Sequence, residues 1–473
     1  MKYQNDLIVI GAGSGGLVVA SGAAALGARV TLIEKEKMGG DCLNSGCVPS
    51  KSFLKGAHLA KEMKDADQFG IHSTIESIEI GELMHRVHGV IDQIAPHDSI
   101  ERYEGLGVSV VIGEAKIKSK HEVVVGSKTL TAKNIVVSTG SKPYIPKIKG
   151  LDQVSYLTNL NIFEMNHTPK HLIVLGAGPI GLELGQGFRH LGVEVTMIDQ
   201  SKSLFTKDDN EVGPLMEKVL LKDGVQLLLN SKIIEIIKEN EAIKVIVEKD
   251  NNRIEIIGDE LLVALGRIPN TQDLGLEEIG VKLNARGYIQ TNKKLQTHVK
   301  NIYACGDVVG PYQFTHMAGY QAGLVIRNAI FHLGSKVNYY NVPWTTYTKP
   351  EVAHVGYTEQ TAKELNLFKK TIHVPLESND RAKAENDVIG FLKLIIGKKG
   401  TLIGATLVGE KAGEMIPIAS LAIQQKLKPN VFMNIIFSYP TESEIFKTAS
   451  LQLLRDSFKP WKANLLKKIL FKK

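Results

Sequence analysis

The chain has 473 residues, 43% apolar and 23% charged, with a formal charge of +7. Its length exceeds one ordinary core and predicts two to four domains, and its composition excludes a disordered chain. Residues 459–473 carry six lysines and no acid, so the body is nearly neutral; a nucleic-acid-binding surface spread over the protein is excluded. No run approaches the roughly 18 apolar residues of a membrane span. The start, Met1–Asp6, leads straight into an apolar strand pattern without a signal-like region, so a cytoplasmic location is expected.

Leu7–Ile10, a glycine turn, an Ala- and Gly-rich helix to Gly27 and the strand Val30–Glu34 read as a β-α-β unit. The turn contains Gly11, Gly13 and Gly16, a dinucleotide fingerprint whose glycines let a pyrophosphate approach helix-terminal N–H groups. Glu34 closes the unit where an acid accepts a ribose hydroxyl. A glycine-rich turn with no ligand is the bland alternative, which the flanking strand, helix and acid disfavour.

Two of the three cysteines follow, in Gly39-Gly40-Asp41-Cys42-Leu43-Asn44-Ser45-Gly46-Cys47-Val48-Pro49-Ser50-Lys51. In a thiol-poor chain a pair this close is read as redox-active or metal-binding rather than structural. Zinc needs about four ligands, and no matching Cys/His pair exists. Inert packing remains the other alternative. The spacing suits a disulfide across one helical turn, and a helix start would stabilise a thiolate. Lys51 reads either as a solvated lysine or as a group reaching a cofactor.

Residues 56–104 read as long helices interrupted at Gly70 and Gly81, and 108–138 as short strands. The proline run Pro143–Pro146 predicts a boundary. The β-α-β grammar then returns at Leu172–Leu175, with Gly176, Gly178 and Gly181 in the turn and Asp199 at the end of the second strand. An acid there accepts the 2′-hydroxyl of NAD and repels the 2′-phosphate of NADP, so NADH is favoured. Cys305, in Asn301–Asp307, reads as a core residue. From Asn341 onward, alternating strands and helices read as a separate α+β domain. Phe458, Trp461, Leu465, Leu466, Ile469 and Leu470 recur at helical spacing among lysines. That tail reads as a helix packed on a dimer, or as a peripheral contact of residues 458–473 with anionic lipid.

With two nucleotide folds, the cysteine segment and Tyr303-Ala304-Cys305-Gly306-Asp307, the chain closely resembles the class I pyridine nucleotide-disulfide oxidoreductases. That family includes dihydrolipoamide dehydrogenase, glutathione reductase and mercuric reductase. The resemblance implies an α/β fold of two Rossmann-like domains, for FAD (1–145 and 271–338) and NAD(P) (146–270). A C-terminal α+β dimerisation domain (339–455) and a basic tail (456–473) follow. It implies FAD on the first turn, with Asp307 on the ribityl chain and Thr139-Gly140 lining the site. It implies Cys47 against the isoalloxazine, Cys42 exchanging with substrate, and Lys51 paired with Glu183 near the flavin. Gly266 and Arg267 would close the nicotinamide site. Family members are homodimers in which each C-terminal domain completes the partner's active site.

One departure stands out. Disulfide-reducing members carry a histidine, then proline, with a glutamate five residues after the histidine, as the acid–base group for the exchanging thiol. Here Tyr439 precedes Pro440, and Glu444 keeps the acid. A tyrosine with its reference pKa of about 10 is roughly 0.1% ionised at neutral pH, whereas a histidine titrates near 6.5. Mercuric reductases resemble this chain in having tyrosine there, but their C-terminal cysteine pair is missing, since no cysteine follows Cys305. The expected enzyme passes electrons from NADH through FAD and Cys42–Cys47 to a metal ion, small disulfide or quinone. Dihydrolipoamide dehydrogenase is the alternative, and a flavin-bound redox sensor or scaffold at a membrane is the reading from another class.

Overall fold

A computed structural model describes residues 3–457 and residue 469. It divides into two compact units, one running to Gln200 and resuming over Gly224–Asn338, the other formed by Ser201–Asp223 and the chain from Tyr339 onward.

The first unit opens with β1 (Asn5–Ile10), α1 (Ser14–Ala25) and β2 (Val30–Glu34). Both strands are runs of Val, Ile and Leu buried almost throughout, as parallel strands covered on two faces must be. β1 lies between β2 and strand Lys128–Val137, parallel to each, and Val108–Ile112 extends the sheet beyond β2. Ile302–Ala304 returns to pair with Lys128–Val137, which closes the first sheet with residues far along the chain. Its core holds Leu7, Val9, Leu32, Val136 and Cys305.

After β2 come α2 (Gly40–Asn44), α3 (Cys47–Lys64), α4 (Ile80–Ile94) and a short helix over Ile100–Gly105. Gly70 does end a short turn, at φ +75°. Gly81 instead lies inside the first turn of α4, beside the Asn166 backbone. A second, four-stranded parallel sheet runs Gln226–Leu228, Glu194–Ile198, His171–Leu175, Glu260–Val263. Strand Ser141–Pro143 pairs antiparallel with Arg267–Pro269, so the two connections between the sheets run side by side near the expected proline boundary.

The second unit is a five-stranded antiparallel sheet in the order Pro343–Thr346, Glu351–Gly356, Leu402–Gly409, Phe391–Gly397, Phe368–Pro375. Helices Ala412–Gln424 and Ile445–Ser457 pack on it through Ala419, Ile423, Phe446 and Ala449. Ser201–Asp223 belongs to this unit, although its position in sequence suggests the nicotinamide domain. The reason is burial: Val212 and Met216 are fully buried with Val352, Phe391 and Val408, each such side chain contributing about 1.5–3 kcal/mol. Charge adds to it. The Lys393 ammonium, 3% exposed in the middle of a strand, lies 3.2 Å from Asp209, 2.7 Å from Glu211 and 2.7 Å from Glu359.

Candidate active site

The two glycine turns have the same geometry. Gly11 and Gly176 take φ of +100° and +101°, a left-handed conformation that favours glycine. A Cβ on Gly16 would lie 1.8 Å from the Gly11 carbonyl oxygen, and one on Gly181 would lie 2.0 Å from that of Gly176. Gly13 and Gly178 cap their helices with extended backbone and no side-chain cap. The first-turn N–H groups are thus left for an anion, as a bound pyrophosphate requires. At each site the acid braces the turn: Ala12 N–H donates to Glu34 Oε2 and Ala177 N–H to Asp199 Oδ2, both at 2.7 Å. Glu34 also accepts from the Lys35 and Glu36 N–H groups, so three of about four lone-pair sites of its carboxylate are engaged and one is left for a ribose. The residues present fit two dinucleotides.

The thiol segment docks on the first turn. Gly39 N–H donates to the Ala12 carbonyl at 3.0 Å, and a Cβ on Gly40 would come within 2.7 Å of Gly13 Cα. α2 then carries Cys42, and α3 starts at Cys47 behind Gly46, which offers no side-chain cap. The positive end of an 18-residue helix therefore stands at Cys47. Pro49 falls in the first turn, where its missing N–H costs no helical bond.

Both cysteines are free thiols. A hydrogen bond from Cys42 lowers the Cys47 thiol to about 6, helped by Thr315 and the Lys51 charge against the opposing effect of burial. The same bond, with burial, pushes Cys42 up. At neutral pH Cys47 is the thiolate and Cys42 keeps its proton. The Thr315 hydroxyl lies 3.3 Å from Cys47 Sγ, 268 residues along the chain, as the first residue of helix Thr315–Ala329. Sequence reasoning missed Thr315. Its only trace is a hydroxyl at a helix start shortly after Gly306-Asp307.

Lys51 Nζ sits one helical turn after Cys47 and lies 2.8 Å from Glu183 Oε2, whose side chain is 8% exposed. Glu183 is on Pro179–His190, the helix that opens at the second glycine turn. Gly187, one turn further on, allows this approach: a Cβ there would meet Phe53 of α3 at 2.6 Å.

Asp307 accepts from Ser141 Oγ at 2.6 Å; burial pushes its carboxyl up, while Ser141 and Arg267 oppose the shift. Thr139 and Asn270 exchange hydrogen bonds, Thr139 Oγ1 to the Asn270 carbonyl at 2.6 Å and Asn270 Nδ2 to that of Thr139 at 2.9 Å. Gly140, at φ +69°, faces open space. Arg267 belongs to this group of residues: Nε donates to Ser141 Oγ at 2.8 Å and Nη2 lies 3.2 Å from Asp41. Its guanidinium is thus engaged beside the first dinucleotide site and the thiol segment. Gly266, at φ +119°, turns the chain just before it. Cys305 is fully buried, and burial pushes its thiol up to about 12; it packs beneath Gly15 of α1.

In the second unit the Tyr439 side chain is 73% exposed, with its hydroxyl 3.4 Å from Asp380 Oδ2. Glu444 ends a short turn whose Glu442 is buried and paired with Lys411 at 2.8 Å.

Comparison with known proteins agrees with this geometry. Residues 5–322 match the pyridine nucleotide-disulphide oxidoreductase family and residues 342–450 its dimerisation domain. The chain is 34% identical over 456 residues to a mercuric reductase of Bacillus cereus, covering 96% of this chain and 72% of the relative. It is equally 34% identical over 454 residues to a dihydrolipoyl dehydrogenase of Geobacillus stearothermophilus, covering 94% and 96%. Among solved structures, the Cu(II) complex of the HOCl-induced flavoprotein disulfide reductase RclA of Escherichia coli superposes with a TM-score of 0.84 at 26% identity, over 93% of this chain and 98% of that one. LpdA of Mycobacterium tuberculosis gives 0.86 at 26%, over 94% and 99%.

The chain belongs to the pyridine nucleotide-disulphide oxidoreductase family. It is an FAD-dependent oxidoreductase that takes electrons from a reduced nicotinamide dinucleotide and passes them through a redox-active cysteine pair. Its dimerisation module makes the homodimer its assembly. Among the described residues no helix is long and apolar enough to cross a membrane.

Proposed function

We propose that Cys47 is the thiol facing the flavin, that Cys42 is the thiol facing the acceptor, and that NADH is the favoured donor. The asymmetry of the pair carries this reading: a thiolate held by a helix start, Thr315 and Cys42, beside a thiol that keeps its proton. When bound, FAD supplies two-electron transfer between the nicotinamide and the thiols. Gly176, Gly178, Gly181 and Asp199 hold the nicotinamide dinucleotide, with an acid where NADP would need a cation. Gly11, Gly13, Gly16, Glu34, Thr139, Gly140 and Asp307 hold the flavin dinucleotide. The Lys51–Glu183 pair fixes the ammonium beside the thiol helix.

With a disulfide acceptor, Cys42 gives up its proton and its sulfur attacks one acceptor sulfur, breaking the acceptor bond and releasing one thiolate. Cys47 then attacks Cys42, forming the internal disulfide and releasing the second thiolate. The protons end on the two acceptor thiols, so NADH, one proton and one disulfide give NAD⁺ and two thiols.

A metal ion or small disulfide is the proposed acceptor, ahead of lipoamide, because exposed Tyr439 stands where lipoamide turnover would use an imidazole. A mercuric reductase among the relatives and the Cu(II) bound to the Escherichia coli structure support the metal arm. Steady-state NADH oxidation against lipoamide, glutathione disulfide, Hg(II), Cu(II) and quinones tests it. Slow lipoamide turnover that rises in Tyr439→His is expected; fast lipoamide turnover by the unaltered enzyme assigns it to the dihydrolipoamide dehydrogenases.

Residues 458–473 of the basic tail lie outside the described residues apart from Ile469. We propose a cytoplasmic enzyme whose tail packs on the dimer or touches anionic lipid. Liposome co-sedimentation of the intact chain and a 1–457 truncation tests it, and equal binding by the two removes the lipid contact.

A further inference from the structure

The turn that joins Cys42 to Cys47 is held at a single carboxylate. Asp41, the residue before Cys42, accepts at Oδ1 from Ser45 Oγ at 2.9 Å and from Asn159 Nδ2 at 3.0 Å. Its Oδ2 lies 3.2 Å from Arg267 Nη2. Asn159, buried in the connection leading to the second sheet, also donates to the Ser45 carbonyl at 3.1 Å. A Cβ on Gly46 would lie 3.0 Å from Asp41 Oδ2, so the carboxylate also stands against the residue that precedes Cys47. Arg267 carries the arrangement onward. Its Nε donates to Ser141 Oγ, which donates to Asp307 Oδ2, and Nε itself lies 4.0 Å from that oxygen. One guanidinium thus faces two carboxylates, and the charge of Asp41 is only partly compensated. The Cys47 thiol registers that charge: the hydrogen bond from Cys42 lowers the thiol, Thr315 and Lys51 help, and Asp41 opposes them.

We propose that Asp41 is a positioning residue for the step in which electrons leave the thiol pair. It fixes the Cys42–Cys47 turn for closure of the disulfide, and its charge makes the reduced pair the stronger reductant. Reduction by the nicotinamide donor adds two electrons and one proton to a neutral disulfide. It leaves a thiol on Cys42 and a thiolate on Cys47. A neighbouring carboxylate disfavours the state that carries the thiolate, so it drives the pair back toward the disulfide and the electrons outward. Arg267 tempers this push. The proposal rests on the reading of Cys42 and Cys47 as the exit for electrons, and it adds what sets their driving force.

Redox titration of the holoenzyme in dithiothreitol buffers tests it, with the ionisation of each thiol followed by alkylation and peptide mapping. Asp41→Asn, nearly isosteric, should shift the equilibrium toward the dithiol about tenfold, about 30 mV upward for the two-electron couple. It should also lower the pH midpoint of Cys47. Arg267→Gln should move both quantities the opposite way, and Arg267→Lys, which keeps the charge, should lie closer to the unaltered enzyme. Ser45→Ala keeps both charges. It should slow disulfide closure severalfold with the Cys47 midpoint in place, and it carries the test if an Asp41 variant does not fold. In a merely structural role, Asp41→Asn and Arg267→Gln would loosen the same turn and shift the potential alike. Shifts in one direction, or none, therefore overturn the proposal, as does unchanged closure in Ser45→Ala. Opposite shifts, together with a charge-transfer band that is lost in Cys42→Ser and kept in Cys47→Ser, support Asp41 and instead remove the assignment of Cys47 to the flavin.

Discussion

Lys51 and Glu183 meet at 2.8 Å, joining the helix that begins at Cys47 to the helix that begins at the second glycine turn. The pair links the two cofactor sites through side chains 132 residues apart. Replacing Lys51 with Met leaves the nearly buried Glu183 carboxylate without this cation, at a cost of about 1–3 kcal/mol. Stopped-flow reduction by NADH should slow in Lys51→Met and in Glu183→Gln. The double variant should be less impaired than the sum of the two, since both remove one interaction.

The thiolate on Cys47 makes a pH prediction. Its pKa is depressed to about 6, so the charged form, and with it a charge-transfer absorbance in the two-electron-reduced enzyme, is present above that value and lost as pH falls through it. Cys42→Ser weakens the hydrogen bond that lowers Cys47 most, and Thr315→Val removes the hydroxyl. Each should move the midpoint upward, Cys42→Ser further than Thr315→Val, with Thr315→Ser restoring it. Cys47→Ser should abolish the band; a band that persists would remove the assigned role of Cys47.

The twin turns make paired variants informative. Gly16→Ala should purify with at least about tenfold less flavin, because its methyl would sit on the Gly11 carbonyl. Gly181→Ala, with the matching clash at Gly176, should keep its flavin and lose rapid reduction by NADH. Flavin absorbance per protein and stopped-flow reduction read the two separately.

Lys393 is the stability test. Burial alone would lower its pKa, but Glu211, Glu359 and Asp209 outweigh this and raise it to about 12. A base raised in the fold stabilises below its unfolded value, about 10.5, and that contribution is lost as pH climbs through 12. Lys393→Met leaves Asp209, 2% exposed, without its cation. The expected loss is about 3–5 kcal/mol, read by denaturant unfolding. Protease cleavage within 201–223 should increase in the same variant.

The glycine turns, their closing acids and the cysteine segment were legible because each is a local pattern that needs a particular residue type. Thr315 was not. Its hydroxyl matters only because helix Thr315–Ala329 starts at the thiol, and no spacing rule connects positions 47 and 315. The contacts of Arg267 with Ser141 and Asp41 were illegible for the same reason, since no spacing rule connects those positions. The attachment of 201–223 to the C-terminal sheet rests on the burial of Val212 and Met216 and on a lysine inside an otherwise apolar strand. Read along the sequence, Lys393 looks like a solvent-facing position; only the converging carboxylates explain it.

The two turns share one backbone geometry but not one neighbour. A Cβ on Gly40 would come within 2.7 Å of Gly13 Cα, so the polypeptide that carries the thiols is laid directly on the first turn. In so tightly packed a contact a shift of the thiol segment is felt at the first turn.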